Sequence, residues 1–211
     1  DFSAHLNDNG RFDFIWQGEK VKMPAPSLKG AHQIQNASLA LAAMKVATPD
    51  AFAPAAFNGI SQAKWPGRIQ ELQTGKLKNL LGSGHPLWLD GAHNAHGAVA
   101  LIKTLKSLSQ QKWIVIFGAL NTRPPEAFFA QLKSVAISIH TLEISGQPAA
   151  LPARELATAA TSVNIPARPA NSLVEALADI KRTATPNTPV IICGSLYLAG
   201  QVLEENQTPP D

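Results

Sequence analysis

Apolar and polar positions change rhythm about a third of the way along this chain. Arg11-Phe12-Asp13-Phe14-Ile15-Trp16 alternates in polarity. After Gln17-Gly18-Glu19 a second extended stretch, Lys20 to Met23, completes the pattern of a β-hairpin. Pro24, Pro26 and Gly30 punctuate the chain before an alanine-rich stretch, Ala31 to Ala47, whose apolar residues suit a buried helix. A shorter helical stretch spans Ala51 to Ile60. Trp65-Pro66-Gly67-Arg68 breaks the pattern, which puts a domain boundary or hinge near residue 64.

Beyond it, strand and helix alternate. Leu87-Trp88-Leu89 is a short apolar run ending in Asp90, and Ala95 to Ser109 is helical, with Val99, Leu101, Ile102, Leu105 and Leu108 apolar. Trp113 to Phe117 reads as strand, Pro125 to Val135 as helix and Ile139 to Ile144 as strand. Helices follow near Pro152 to Thr161 and Ser172 to Ala184. Val190-Ile191-Ile192-Cys193 is a last β-rich run, Leu196 to Glu205 a last helix, and the tail Asn206 to Asp211 reads as frayed. Nearly continuous apolar strands alternating with helices indicate an α/β fold with a mostly parallel sheet covered on both faces. Ligands of such sheets bind beyond the carboxyl ends of the strands.

Composition narrows the class. Of 211 residues, 45% are hydrophobic and 16% charged, against a typical charged share of about 25%, so the chain folds rather than staying a solvated polyelectrolyte. No apolar run approaches the roughly 18 residues of a membrane-spanning helix, and the first twenty residues carry scattered charges rather than a signal peptide. A cytoplasmic, non-membrane protein is the expectation. Lys plus Arg number 18 and Asp plus Glu 15, a net charge of +3 without a basic cluster, which argues against nucleic acid and for at most a small anion in a basic cleft. The single Cys193 excludes an internal disulfide and reads as a small buried hydrophobe. His5, His85, His96 and His140 are too scattered for metal-ligand spacing, so no metal site is expected in these residues. The chain starts at Asp1, within a strand-like segment, and is expected to be a fragment of something longer.

The segment Leu89-Asp90-Gly91-Ala92-His93-Asn94 carries the most chemical information. A carboxylate stands where an apolar strand ends, Gly91 allows a tight turn and Asn94 suits an N-cap. Asp90 could accept hydrogen bonds from a ribose diol and His93 could pack on a base. The purely structural alternative is that Asp90 and Asn94 cap a helix. Gly194-Ser195, between a strand and a helix, reads as turn and cap before it reads as an anion site.

Leu89-Asp90-Gly91-Ala92-His93-Asn94 followed by His96-Gly97 resembles the signature of the folylpolyglutamate synthase and dihydrofolate synthase family, relatives of the Mur ligases. Three further segments match in order. His32-Gln33-Ile34-Gln35-Asn36 is similar to the family's His-Gln-x-x-Asn helix, Trp65-Pro66-Gly67-Arg68 to its Pro-Gly-Arg turn, and Gly194-Ser195-Leu196-Tyr197-Leu198-Ala199-Gly200 to its last strand-to-helix segment. The resemblance implies a Rossmann-like Mur ligase C-terminal domain in residues 65 to 211. Residues 1 to 64 would be the incomplete end of a central ATPase domain. It implies ATP held between those domains, with Asn36 on the adenine side, Arg68 on the phosphates, Asp90 on the ribose and His93 nearby. Arg68 and His93 are the catalytic candidates. A guanidinium's planar fork suits phosphoryl oxygens. A surface arginine after a linker, and a polar stripe on a helix packed by Ile34, Leu41 and Met44, are the structural alternatives for Arg68 and Asn36.

No Gly-x-x-x-x-Gly-Lys-Ser/Thr loop occurs in these residues. The resemblance places that loop and the Mg2+ ligands upstream, so the chain alone is expected not to turn over ATP. Asn121-Thr122-Arg123 stands where many family members have an Asp-Lys-Asp, which leaves the role of that loop open. Arg123 is by default a solvated loop arginine and could attract glutamate carboxylates. The implied activity is an ATP- and magnesium-dependent ligase that activates a dihydropteroate or folate carboxylate as an acyl phosphate for attack by L-glutamate. ATP, dihydropteroate or folate and L-glutamate are its small-molecule partners, and a monomer is expected. The alternatives are a Mur ligase acting on a peptidoglycan precursor and a non-catalytic nucleotide-binding module.

Overall fold

A computed structural model describes residues 1–7 and 11–208. The chain divides into two compact units, Asp1–Trp65 and Pro66–Asp211.

In the first unit β1 (Phe2–Leu6), β2 (Phe12–Trp16) and β3 (Glu19–Met23) form an antiparallel sheet with β2 central. The hairpin foreseen at Gln17-Gly18 is a two-residue loop joining the paired residues Trp16 and Glu19, and both loop residues have positive φ, 48° and 89°. The polar alternation of β2 is not an inside-outside alternation, because Phe12, Asp13 and Phe14 are all buried. Phe12 and Phe14 enter the core with Met23, Leu41 and Ala42. Asp13, on the opposite face, is covered by Lys20 and His5 from the flanking strands, and the Lys20 hydrogen bond holds its carboxyl below the usual range. The alanine-rich pattern of α1 (Ala31–Ala47) suits a buried helix. Only one side of it is covered: Leu41 and Ala42 sit in the core while Leu39 and Val46 are 61% and 70% exposed. A 3-10 turn at Pro49–Ala51 and α2 (Pro54–Gln62) complete the unit.

The second unit is a six-stranded sheet of β4 (Gln70–Glu71), β5 (Leu87–Leu89), β6 (Trp113–Phe117), β7 (Ala136–Thr141), β8 (Ala167–Pro169) and β9 (Val190–Cys193), in the order β4-β5-β9-β6-β7-β8. All pairs are parallel except β4 with β5. Alternation along the central strands divides the core in two. Trp88, Trp113, Val115, Phe117, Ile191 and Cys193 face α4 (Ala95–Leu108), α5 (Glu126–Leu132) and α6 (Ala153–Ser162). Leu87, Leu89, Ile114, Ile116, Val190 and Ile192 face α3 (Lys76–Leu81), α7 (Leu173–Thr183) and α8 (Leu196–Glu205). This is the mostly parallel sheet with helices on both faces that the sequence predicts.

Several boundaries differ from those the pattern predicts: α2 runs Pro54–Gln62 rather than Ala51 to Ile60, and α5 ends at Leu132 rather than Val135. β7 runs Ala136–Thr141 rather than Ile139 to Ile144. It stops at Thr141 because its partner β6 ends at Phe117, whose carbonyl accepts the Leu142 amide hydrogen at 2.8 Å, and Leu142 and Ile144 are buried beyond the strand. The tail is not frayed at Asn206, which is fully buried; Pro209 to Asp211 lie outside the described residues.

Strand order decides where a ligand can enter. The chain leaves β5 and β6 through α4 and α5 on one face, and leaves β9, which lies between them, through α8 on the other. A crevice therefore opens at the carboxyl ends of these three strands, where parallel sheets hold their ligands.

Candidate functional site

The crevice is built from the three loops that leave β5, β6 and β9. After β5, Asp90 to Asn94 turn into α4, and the Asn94 side chain accepts the Gly97 amide hydrogen at 2.7 Å, the N-cap expected of it. After β9, Gly194 has φ +116°, and a Cβ there would lie 2.5 Å from the Gly118 carbonyl oxygen, so the close approach of these loops requires glycine. Ser195 then caps α8 by accepting the Tyr197 amide hydrogen at 3.1 Å, the turn-and-cap role read from the sequence. The loops are tied to one another: Gly194 donates to the Ala92 carbonyl at 2.9 Å and Gly118 to Cys193 at 3.3 Å.

A cleft of about 760 Å³ lies over this junction. Its walls are apolar at Phe117, Phe128 and Leu196, and its polar rim carries His93, His96 and Arg123. No Asp or Glu lines it among the described residues, and the positive ends of α4 and α8 point toward it. Such a cavity accepts an anion attached to a partly apolar body. Arg123, read as a loop arginine, is indeed exposed, yet it lies on this rim.

His93 is exposed, and its Nδ1 sits 2.9 Å from the Gly91 carbonyl oxygen. A carbonyl only accepts, so Nδ1 carries a proton. Cys193 is 1% exposed; burial first, and the Asp90 charge second, push its thiol well above its ordinary range, so it supplies no thiolate.

Arg68 and Asp90 stand together at the strand tips. The Asp90 carboxylate is 6% exposed; Oδ2 accepts the Ile69 amide hydrogen at 2.9 Å and Oδ1 that of Ala92 at 2.8 Å. Gly91 donates to the Gly67 carbonyl at 2.7 Å, so the turn Pro66–Ile69 is stitched to the loop after β5 on both sides of Arg68. Arg68 is half-buried and takes part in no ion pair among the described residues. Ile69 has φ +45°, a conformation a β-branched residue seldom adopts, costing about 1–3 kcal/mol. Neither Arg68 nor Asp90 lines the cleft that holds His93.

Asn36 lies in the other unit. It is exposed on α1, and its amide donates to the Gln33 side chain at 3.0 Å, with Gln33 in turn 3.1 Å from His32. His32 and Asn36 thus belong to one polar string, joined through the buried Gln33, a motif residue to which the sequence alone gives no role. No group of three or more metal-ligating side chains occurs among the described residues.

Comparison with known proteins places these loops in context. The family model described as dihydrofolate synthetase, C-terminal domain, matches residues 73–205. Dihydrofolate synthase/folylpolyglutamate synthase of Bacillus subtilis is 30% identical over 181 residues, covering 83% of this chain and 39% of that protein. Folylpolyglutamate synthase of Lacticaseibacillus casei is 29% identical over 196 residues, covering 91% and 42%. The solved structure of Mycobacterium tuberculosis folylpolyglutamate synthase complexed with ADP aligns at a TM-score of 0.82 and 25% identity, over 100% of this chain and 48% of that one. The chain spans about two fifths of the length of the curated relatives it matches.

Proposed function

The chain belongs to the dihydrofolate synthetase family through its C-terminal domain, and we propose that the whole protein is an ATP-dependent ligase joining L-glutamate to dihydropteroate or folates. The observation that carries this reading is the meeting of three separate sequence segments. Pro66–Arg68, Asp90–Asn94 and Gly194–Tyr197 are far apart in the chain, yet Gly91 bonds Gly67 and Gly194 bonds Ala92 at the carboxyl edge of the sheet.

Chemically, a carboxylate is a poor electrophile, and its acyl phosphate is a good one. Transfer of the ATP γ-phosphoryl group to the pteroate or folate carboxylate forms the acyl phosphate and releases ADP. Attack by the glutamate amine forms the amide, expels phosphate and releases a proton. The residues here position and neutralise charge. Arg68 steadies phosphoryl oxygens from its pinned turn. Asp90 stands on the ribose side and His93 beside the nucleotide, with Asn36 assigned to the adenine by resemblance alone. The anion-accepting cleft on the rim of Arg123 and His96 suits the glutamate carboxylates. Mg2+ accompanies ATP in this reading, with its ligands outside these residues, and a cytoplasmic monomer is the working state. No described helix is long and apolar enough to cross a membrane.

The test is ATP-dependent incorporation of labelled glutamate by the whole protein, offered dihydropteroate, tetrahydrofolate or a nucleotide-linked muramyl peptide. Glutamate is expected on the pterin substrates only. Arg68→Ala is expected to lower the rate by about 10²–10³-fold without loss of folding. Incorporation into the muramyl peptide alone, or a near-normal rate in Arg68→Ala, would overturn the reading.

A further inference from the structure

Asp90 spends its carboxylate on backbone. Both oxygens accept amide hydrogens, from Ile69 at 2.9 Å and from Ala92 at 2.8 Å, in a site only 6% exposed. A carboxylate serving a ligand alone would have no reason to hold these two amides. The amide of Ile69 is the informative one, because that residue combines a branched side chain with φ +45°. Left-handed backbone at such a residue persists only where the surroundings impose it.

The surroundings are explicit. The Ile69 side chain is 4% exposed and packs in the same core cluster as Trp88 and Ala92, so it cannot follow a backbone rotation. β4 begins at Gln70 and pairs with Leu89, which fixes the chain on the far side. On the near side Gly67 receives the Gly91 amide at 2.7 Å, and its own amide donates to the Gln70 side chain at 3.0 Å. Relaxing φ of Ile69 toward ordinary values, with its side chain and β4 held, would swing the segment Pro66–Arg68. Arg68 is the residue that would move.

We propose that Asp90 is a positioning residue for Arg68: its carboxylate holds Ile69 in the strained conformation that aims the guanidinium. This rests on the reading of Arg68 as a phosphate ligand. It gives Asp90 a role that exists before any nucleotide arrives and that does not depend on a ribose diol. The strain at Ile69 is the cost of a side chain fixed on one side of a peptide and a guanidinium fixed on the other.

The experiment uses the whole ligase. Asp90→Asn keeps the shape of the side chain and exchanges one acceptor for a donor that faces an amide hydrogen. With saturating ATP its kcat is expected to fall about 10²-fold, the scale of a misplaced catalytic group. The fall is expected to be of similar size with 2′,3′-dideoxy-ATP, which has no diol. In an Arg68→Ala background the same change is expected to cost less than about threefold, since nothing remains to be aimed. Thermal unfolding of every variant is read alongside. If Asp90→Asn does not fold, Gln70→Ala carries the test: it removes the other tie to Gly67 at a half-buried position, and a several-fold loss of kcat confined to enzyme that retains Arg68 is expected. A loss seen with ATP and absent with the dideoxy analogue makes Asp90 a diol ligand and overturns the proposal. So do losses that multiply independently of Arg68. A fast Arg68→Ala enzyme is a different failure, that of the phosphate reading itself.

Discussion

The side-chain oxygen of Asn206 accepts the amide hydrogens of Leu77 at 2.9 Å and Lys78 at 3.1 Å, joining residues 129 and 128 positions apart. It thereby caps α3, whose preceding residue, Gly75, has no side chain to do so. The Asn206 amide donates to the Thr74 carbonyl and the Thr208 hydroxyl, both at 2.9 Å, and its carbonyl accepts from Lys76 at 3.0 Å. Gly75 itself, at φ +107°, is required because an added Cβ would collide with Asn206.

Removing this cap leaves buried amide hydrogens without acceptors. Asn206→Ala is expected to lower the unfolding free energy by about 2–3 kcal/mol. The melting temperature should drop by about 5–10 °C, measured by far-ultraviolet circular dichroism. An unchanged melting temperature would mean that water caps α3 equally well.

Acid should weaken the fold through His140. This ring is 3% exposed on β7, with Nε2 3.0 Å from Asp179, which also pairs with Arg168 and Arg182. Burial pushes the imidazole pKa down, outweighing the Asp179 hydrogen bond that pulls it up. The folded ring is therefore neutral where the unfolded ring, near its usual value of about 6.5, takes up a proton. Among the described residues its Nδ1 is buried without a partner, so a proton there would find no acceptor among them. The unfolded chain binds more protons as pH falls below about 6.5, and stability declines with it. Asp179, held below its ordinary value first by the His140 hydrogen bond, contributes with the same sign at lower pH: its share is present above the normal carboxylate range and lost as acid protonates it. The melting temperature is expected to fall between pH 7.5 and 5.5, and His140→Gln, which cannot titrate, should flatten that slope.

The rim of the cleft predicts a kinetic split. Arg123 faces the same cavity as His93 and His96 and is exposed, so its replacement should leave the fold intact. In the whole ligase, Arg123→Ala is expected to raise the KM for glutamate about tenfold, the scale of one charge-assisted hydrogen bond, and to change the KM for ATP less than about twofold. A rise confined to ATP would move glutamate out of this cleft.

Much of the architecture is legible in the chain itself. The runs at β5, β6 and β9 are apolar enough, and the helices between them periodic enough, that a covered parallel sheet follows from pattern alone. The motif segments mark where the loops carry chemistry. The elements that escaped are short. β4 has two residues and β8 three, and α3 has six, too few for a period to show, so they exist only through pairing with β5 and β7 or through the Asn206 cap.

Asp90 and His93 could be named as candidates from residue type and position at a strand end, and Arg68 from the resemblance that its Pro-Gly-Arg turn carries. Their division could not. That the turn of Arg68 is pinned to the loop of Asp90 while His93 shares a cleft with Arg123 depends on a strand order in which β9 lies between β5 and β6. Sequence patterns report what neighbouring residues prefer. A hydrogen bond from Ile69 to a carboxylate 21 positions away, or a cap 129 positions away, forms only after the sheet has brought the two ends together, so the strain and the burial that give these residues their roles arise with the tertiary fold.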